Sequence, residues 1–452
     1  MSAEVISKEL DYSSPVNNHS TVIYRSVAPQ GSSSVTTSVT SSIGPVTFII
    51  PPAPFNFSKS KINFTLDLAA GGAGNFNYVN GNLLTAIQRI TLYDSATNAL
   101  WCDISNIPSY AGAVIPSTTS FDEYVSKSFK SGAVQVTVAN ARTVSVEDIV
   151  KSNKSTNNQN GINVDIAPEN PFFSRRQFYI GAANAKTCID VSIPLSAFKM
   201  SILSSDKLYY TPSNLTMDVY FSANNDYSFL ATSATDPTDN VASLGTAIAI
   251  SNLSLSLAGE ANLAITSKLI DTVMTKGLSL PFAYPTVTRQ VLAGATSQSY
   301  QLSITKGYGS RILAFYTVPY ENGAVNVRNV HYRHDITQYN TFLNNVPIKR
   351  PQGFDCLASE DYMLANKALL DKSVIQTLGE YILAEWVHID AYTGERPMHT
   401  VDQHQVDGLD IGSSPATWSI QVSQANATAL NYTTVIVGQK ILSISSQGST
   451  VM

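Results

Sequence analysis

Charge is scarce in this chain: of 452 residues only 13% are Asp, Glu, Lys or Arg, about half the usual share of roughly 25%. The 28 basic and 33 acidic residues leave a net charge of −5. No basic cluster is longer than Arg175-Arg176 or Lys349-Arg350, which argues against direct, sequence-specific nucleic-acid binding. Cysteine is scarce too. Cys102, Cys188 and Cys356 are an odd, scattered trio without a CxxC pair, which excludes a disulfide framework and a thiolate zinc site and favours a reducing compartment. No run of about 18 apolar residues occurs, and Met1 to Leu10 lacks a basic stretch followed by an apolar one, so neither a membrane span nor Sec export is expected. The Asn-x-Thr triplets at Asn63, Asn214 and Asn431 then read as products of an Asn- and Thr-rich composition. A P-loop, a dinucleotide fingerprint and a kinase set are all missing, and Gly71-Gly-Ala-Gly74 reads as a turn because no phosphate-binding helix follows it.

Ser, Thr and Asn fill the polar positions instead. A hydroxyl buried at a contact needs only a hydrogen bond, whereas an ion needs a partner, so such a surface suits extensive self-association. β-Branched and aromatic runs recur through the chain, punctuated by Gly, Pro and Asn, which reads as all-β. Lys61 to Leu68 places Ile62, Phe64, Leu66 and Leu68 on one face. The same alternation appears in Leu215 to Phe221, Ile250 to Leu257, Tyr300 to Ile304 and Trp418 to Val422. Strands with one apolar face belong to antiparallel sheets, and two such sheets cover each other in a sandwich.

The length suits two domains, and an internal echo points to duplication. Asn106-Ile107-Pro108 is matched by Asn345-Val346-Pro347, and Tyr93 by Tyr332. Short helices are expected after each, at Phe121 to Lys127 behind a Ser120/Glu123 capping box and at Glu360 to Leu370 behind Ser359. The expected division is an N-terminal arm over 1–44, a first sandwich over 45–260 with an exposed insertion near 131–175, a partly helical connector over 261–285 and a second sandwich over 286–452. The connector shows helical spacing at Leu263, Ile265, Leu269, Ile270, Val273 and Met274, then Gly277 and, beyond it, Pro281 and Pro285.

The densest set of ligand-type side chains is His399, Asp402 and His404, with Asp407 and Asp410 after it and His388 and Asp390 before it. Imidazole with carboxylate suits zinc or a harder divalent ion, but this spacing matches no established signature, and the residues read as solvated members of a long loop. His331, His334 and Asp335 near Arg328 and Arg333 read as edge ion pairing. Tyr209, Tyr210, Tyr220, Phe221 and Tyr227 are explained by cross-strand packing. No catalytic, cofactor-binding or metal-binding residue and no cofactor is assigned.

The duplicated plan, the helix-bearing loops, Ser192-Ile-Pro-Leu-Ser-Ala-Phe-Lys-Met200 and Ile336 to Pro347 resemble the double jelly-roll major capsid proteins, a lineage of tailless membrane-containing phages, adenovirus-type hexons and virophages. The resemblance runs from about Val46 to the C-terminus. It implies two tandem antiparallel eight-stranded jelly-roll sandwiches with short helices in loops, a homotrimer forming pseudo-hexagonal capsomers, and a place in the icosahedral shell of a virion assembled inside the host cell. It implies as partners the chain itself, neighbouring capsomers, minor capsid and vertex (penton) proteins and a membrane beneath the shell. A structural role and no enzymatic one is expected. The rival readings are a carbohydrate-binding adhesin or spike-type β-sandwich protein, and a β-sandwich hydrolase using the His399 to Asp410 region.

Overall fold

The computed structural model describes residues 21–38, 41–68, 76–80, 83–110, 114, 132–133, 135–136, 142–143, 177–179, 187–223, 228–231, 248–321, 336–347, 354–355, 388–391, 409–410, 415–424, 426–427 and 429–452. The principal strands of the first half are β1 (Val22–Val27), β2 (Ile43–Ile50), β3 (Phe55–Leu68), β4 (Ile87–Asp94), β5 (Leu100–Ser105), β6 (Thr187–Pro194), β7 (Leu215–Phe221) and β8 (Ala249–Glu260). Helix α1 (Leu263–Thr275) follows. The second half holds β9 (Leu278–Leu292), β10 (Ser297–Ile304), β11 (Arg311–Glu321), β12 (Ile336–Leu343), β13 (Val346–Pro347), β14 (His388–Ala391), β15 (Ala416–Gln424), β16 (Leu430–Ser445) and β17 (Gly448–Val451).

The two halves have one topology. The first stacks sheet β1-β8-β3-β6 on sheet β2-β7-β4-β5, and the second stacks β9-β16-β11-β14 on β10-β15-β12-β13, all pairings antiparallel. In each half the first strand pairs with the eighth, the second with the seventh, the third with the sixth and the fourth with the fifth. Alternation builds the cores: Ile62, Phe64 and Leu66 of β3 meet Leu215, Met217, Val219 and Phe221 of β7 inside the first. Tyr300, Trp418, Ile420 and Phe315 fill the second, with the Phe315 and Trp418 rings stacked at 4.7 Å between centroids.

Several sequence expectations shift. Val22–Val27 lies within the segment read as an arm, yet it is an edge strand in register with Val27 opposite Leu255 and Val22 opposite Glu260. The Glu260 carboxylate accepts the Thr21 and Asn262 amides at 2.8 Å each, tying that strand to the start of α1. Asn262 caps the helix by accepting from Ala264 and Ile265, and Gly277 at φ 72° ends it. Pro281 and Pro285, expected in the connector, sit inside β9. They are tolerated because β9 is a sheet edge, and residues four apart share the side that a proline must turn away from the ladder.

The duplication is real, but the echo does not mark equivalent positions. Asn106 follows β5, whereas Asn345 precedes β13 in the turn from β12. The equivalent first-half turn holds Asn98, and Asn98, Asn344 and Asn345 share a left-handed backbone at φ 57°, 50° and 64°. Equivalent strands begin at Val22 and Leu278, at Leu100 and Val346, and at Ala249 and Leu430, so the offset shrinks along the chain. The largest drop falls between the fifth and sixth strands, where the first half runs from Ser105 to Thr187 and the second from Pro347 to His388. The expected insertion near 131–175 and both expected loop helices fall mostly or wholly outside the described residues.

One turn of the second half closes on bare backbone. A Cβ on Gly438 of β16 would lie 1.7 Å from the Tyr308 carbonyl oxygen, and one on Gly309 would lie 2.5 Å from that of Gln439. Gly438→Ala is expected to cost about 3 kcal/mol by forcing backbone apart. Gly307→Ala, with its nearest neighbour at 3.5 Å, is expected to stay within about 0.5 kcal/mol; urea denaturation measures both.

Candidate functional site at the seam between the two halves

The central stretches of β11 and β16 are buried on both sides. Ile312, Phe315, Tyr432 and Ile436 face the second core. Ala314, Tyr316, Val435 and Val437 alternate with them, pair across the two strands, and belong to the first half's core. Their exposures of 4%, 4%, 0% and 0% make this a fully dry layer. Burial, with Cys102 and Tyr316 nearby, pushes the Tyr110 phenol well above its ordinary range, and its hydroxyl donates to the Lys199 carbonyl. Burial likewise pushes up the Cys102 thiol and the Tyr284 phenol, so these three groups stay neutral.

At the end of β4 a single carboxylate bolts the C-terminal strand down. Asp94 is fully buried. Its Oδ1 accepts from the Ala96 amide at 2.9 Å and the Ser213 hydroxyl at 2.6 Å. Its Oδ2 accepts from the Ser449 amide at 2.8 Å and the Ser449 hydroxyl at 2.7 Å. Trp101 Nε1 donates to the same Ser449 hydroxyl at 2.8 Å, and Thr97 donates to the Ser449 carbonyl at 2.6 Å. Gly448 makes the approach possible: its φ is +112°, and a Cβ there would lie 2.7 Å from Thr97 Cγ2. Burial alone would raise the Asp94 carboxyl, but the hydrogen bonds from Ser213, Ser449 and the backbone outweigh it and hold the group below its ordinary value.

The rim of the seam is charged. Arg89 and Asp103 form a two-pronged pair at 2.8 and 2.7 Å, and the hydrogen bond to Asp103 raises the Arg89 guanidinium against the cost of burial. The Arg89 guanidinium stands 5.7 Å from the Tyr220 ring centroid, and Lys440 Nζ stands 3.8 Å from that of Tyr284.

In each half the chain is wound as a folded-over hairpin, its eighth strand beside its first and its fifth beside its fourth, which defines one architecture. The fold is a double jelly roll. No family model matches the chain, and no curated protein matches it by sequence. Solved structures do. A chain in the 3.5 Å cryo-EM structure of the Sputnik virophage is similar over 96% of this chain and 88% of that one, at 12% identity and a TM-score of 0.51. VP54 of PBCV-1, fitted into a reconstruction of that virophage, aligns over 96% and 97% at 9% identity and a TM-score of 0.49. The mavirus major capsid protein aligns over 100% and 95% at 10% identity and a TM-score of 0.45.

The double jelly roll treats the residues singled out by sequence in different ways. His399, Asp402, His404, Asp407, His331, His334 and Asp335 lie outside the described residues. His388 and Asp390 belong to β14, and Asp410 pairs by backbone with Arg311. Among the described residues no cluster of His, Cys, Asp and Glu could hold a metal ion. Tyr209 and Phe221 are packing groups: Tyr209 stands 5.5 Å from Phe57 and 5.8 Å from Trp101, and Phe221 5.5 Å from Phe64, while Tyr227 lies outside the described residues. Sequence reasoning missed the Asp94 bolt because its partner Ser449 is 355 positions away and nothing beside either residue marks it.

The Asp94 carboxyl is depressed in the fold, so its contribution is complete above the ordinary carboxylate range and fades as pH falls through the lowered folded value. Asp94→Asn is expected to lose about 2 kcal/mol at neutral pH. The gap between variant and wild type is expected to narrow as the pH is taken down through the ordinary carboxylate range and below it, as followed by denaturation at neutral and acid pH.

Proposed function

We propose that the chain is the major capsid protein of an icosahedral virus, a repeated structural subunit of the virion shell with no enzymatic role. The observation that carries this reading is the fusion of two complete jelly rolls through a shared core. A rigid pair of similar blocks gives three copies six blocks around one axis, the plan of a pseudo-hexagonal capsomer. The Sputnik virophage chain with the same fold supports the reading, as does a surface poor in charge, which desolvates readily at contacts. Weak contacts repeated over a shell add through multivalency.

In this reading the first roll runs to 260 and includes Val22–Val27, α1 spans the junction, and the second roll starts with β9. Minor capsid and vertex proteins, and a membrane beneath the shell, are the further partners it assigns. Sedimentation velocity on the full chain is expected to show a species of three chain masses, and electron microscopy six-lobed capsomers or closed particles. A monomer at every concentration, with no particles, contradicts the proposal.

A further inference from the structure

Helix α1 bridges the two rolls, resting on β8 of the first and β16 of the second, yet it is poorly covered. Of its apolar side chains Val273 alone is fully buried, while Leu263 is 78% exposed and Met274 45% exposed. Leu263, Ser267, Ile270 and Met274 follow at steps of four, three and four residues, which sets them in one stripe along the helix. Single exposed apolar residues are ordinary, but an aligned apolar stripe on a helix is a surface made to be covered. Among the described residues none covers Leu263 or Met274.

The chain itself brings a cover to this place. The Thr21 carbonyl accepts the Ala261 amide at 2.8 Å, and the Thr21 amide donates at 2.8 Å to the Glu260 oxygen that also takes the Asn262 amide, just ahead of Leu263. Residues 1–20, which lie outside the described residues, therefore join the chain beside the first turn of α1. The stretch from Leu10 to Thr21 reaches up to about 36 Å when extended, and a 13-residue helix is about 20 Å long. Val5, Ile6 and Leu10 are thus within reach of the whole stripe. Charge agrees with this pairing: residues 1–20 carry Glu4, Glu9 and Asp11 against Lys8, whereas α1 and its C-cap carry Lys268 and Lys276 against Asp271, all three exposed.

We infer that residues 1–20 dock along α1 of their own chain, with Val5, Ile6 and Leu10 covering Leu263, Ile270 and Met274. The segment acts as a strap over the junction of the two rolls. It is anchored on the first roll where Thr21 meets Glu260, and it covers a helix that also rests on the second. A tether this short holds the segment at a high effective concentration over the stripe, an advantage that an occupant from another molecule lacks. The contact lies within one chain, so it stands whether or not chains assemble into a shell.

Limited trypsin digestion of the full chain under non-associating conditions reads the strap at Lys8. Leu263→Glu and Met274→Glu, both at exposed positions, are expected to speed cleavage after Lys8 at least tenfold with an unchanged unfolding midpoint. Ala264→Glu, exposed beside the stripe, is expected to leave the rate as it is. A full chain carrying Ile6→Cys and Met274→Cys, treated with a short bis-maleimide, is expected to link the two positions above the wild-type background. In an equal mixture of heavy-isotope and ordinary chains of that variant, the linked peptides are expected to come from one chain. Cleavage at one rate in every variant, or no link between the two positions, overturns the inference. Links mainly between heavy and ordinary chains overturn it too, by giving the stripe to a second copy. Wild-type binding to phosphatidylcholine and phosphatidylglycerol vesicles that Met274→Glu abolishes also overturns it, by giving the stripe to a lipid surface.

Discussion

Everything in this molecule hangs on the centre of one strand pair, β11 and β16, being buried on both faces. In β16, Ile436 points into the second core while Val435 and Val437 on either side of it point into the first. Burying a Val or Tyr side chain contributes about 1.5 to 3 kcal/mol, so Tyr316, Val435 and Val437 alone supply several kcal/mol that exist only while the rolls stay together. A sheet that must satisfy two cores cannot slip in register, since one step would exchange the faces. The pairing of β9 with β16 accordingly runs unbroken from Leu278 opposite Ile444 to Leu292 opposite Leu430.

The polar groups at the seam follow from that dryness. Asp94 is tolerable inside because four donors meet its two oxygens, and a buried carboxylate so satisfied fixes geometry more than it adds stability. It fixes β17, the last strand, onto the first roll. The chain thereby ends where its first half folds, and the two rolls are held at both the connector α1 and the C-terminus. Charged pairs such as Arg89 with Asp103 stay at the rim, where Arg89 remains 43% exposed and the pair contributes little.

Much of this was legible in the sequence, and the rest was hidden for physical reasons. Strands with one wet face announce themselves by alternation, as Lys61 to Leu68 and Leu215 to Phe221 did. Helix α1 showed in its spacing and its stop at Gly277. The echo around Asn106 and Asn345 led to the right duplication through unequal positions, because Asn recurs wherever a turn needs a left-handed residue. β1 read as an arm because Val22-Ile-Tyr-Arg-Ser-Val27 does not alternate apolar with polar residues, and an edge strand is marked only by its partner, which lies far along the chain. The Asp94 bolt could not be read at all, since a contact between residues at opposite ends of the chain leaves no local pattern.

The central claim is that two rolls behave as one body because they share a core. Differential scanning calorimetry of the full chain under non-associating conditions tests it most directly. The account predicts a single transition in which calorimetric and van't Hoff enthalpies agree for the whole chain. Two separable transitions, with one roll melting while the other keeps its near-ultraviolet circular dichroism, would contradict it.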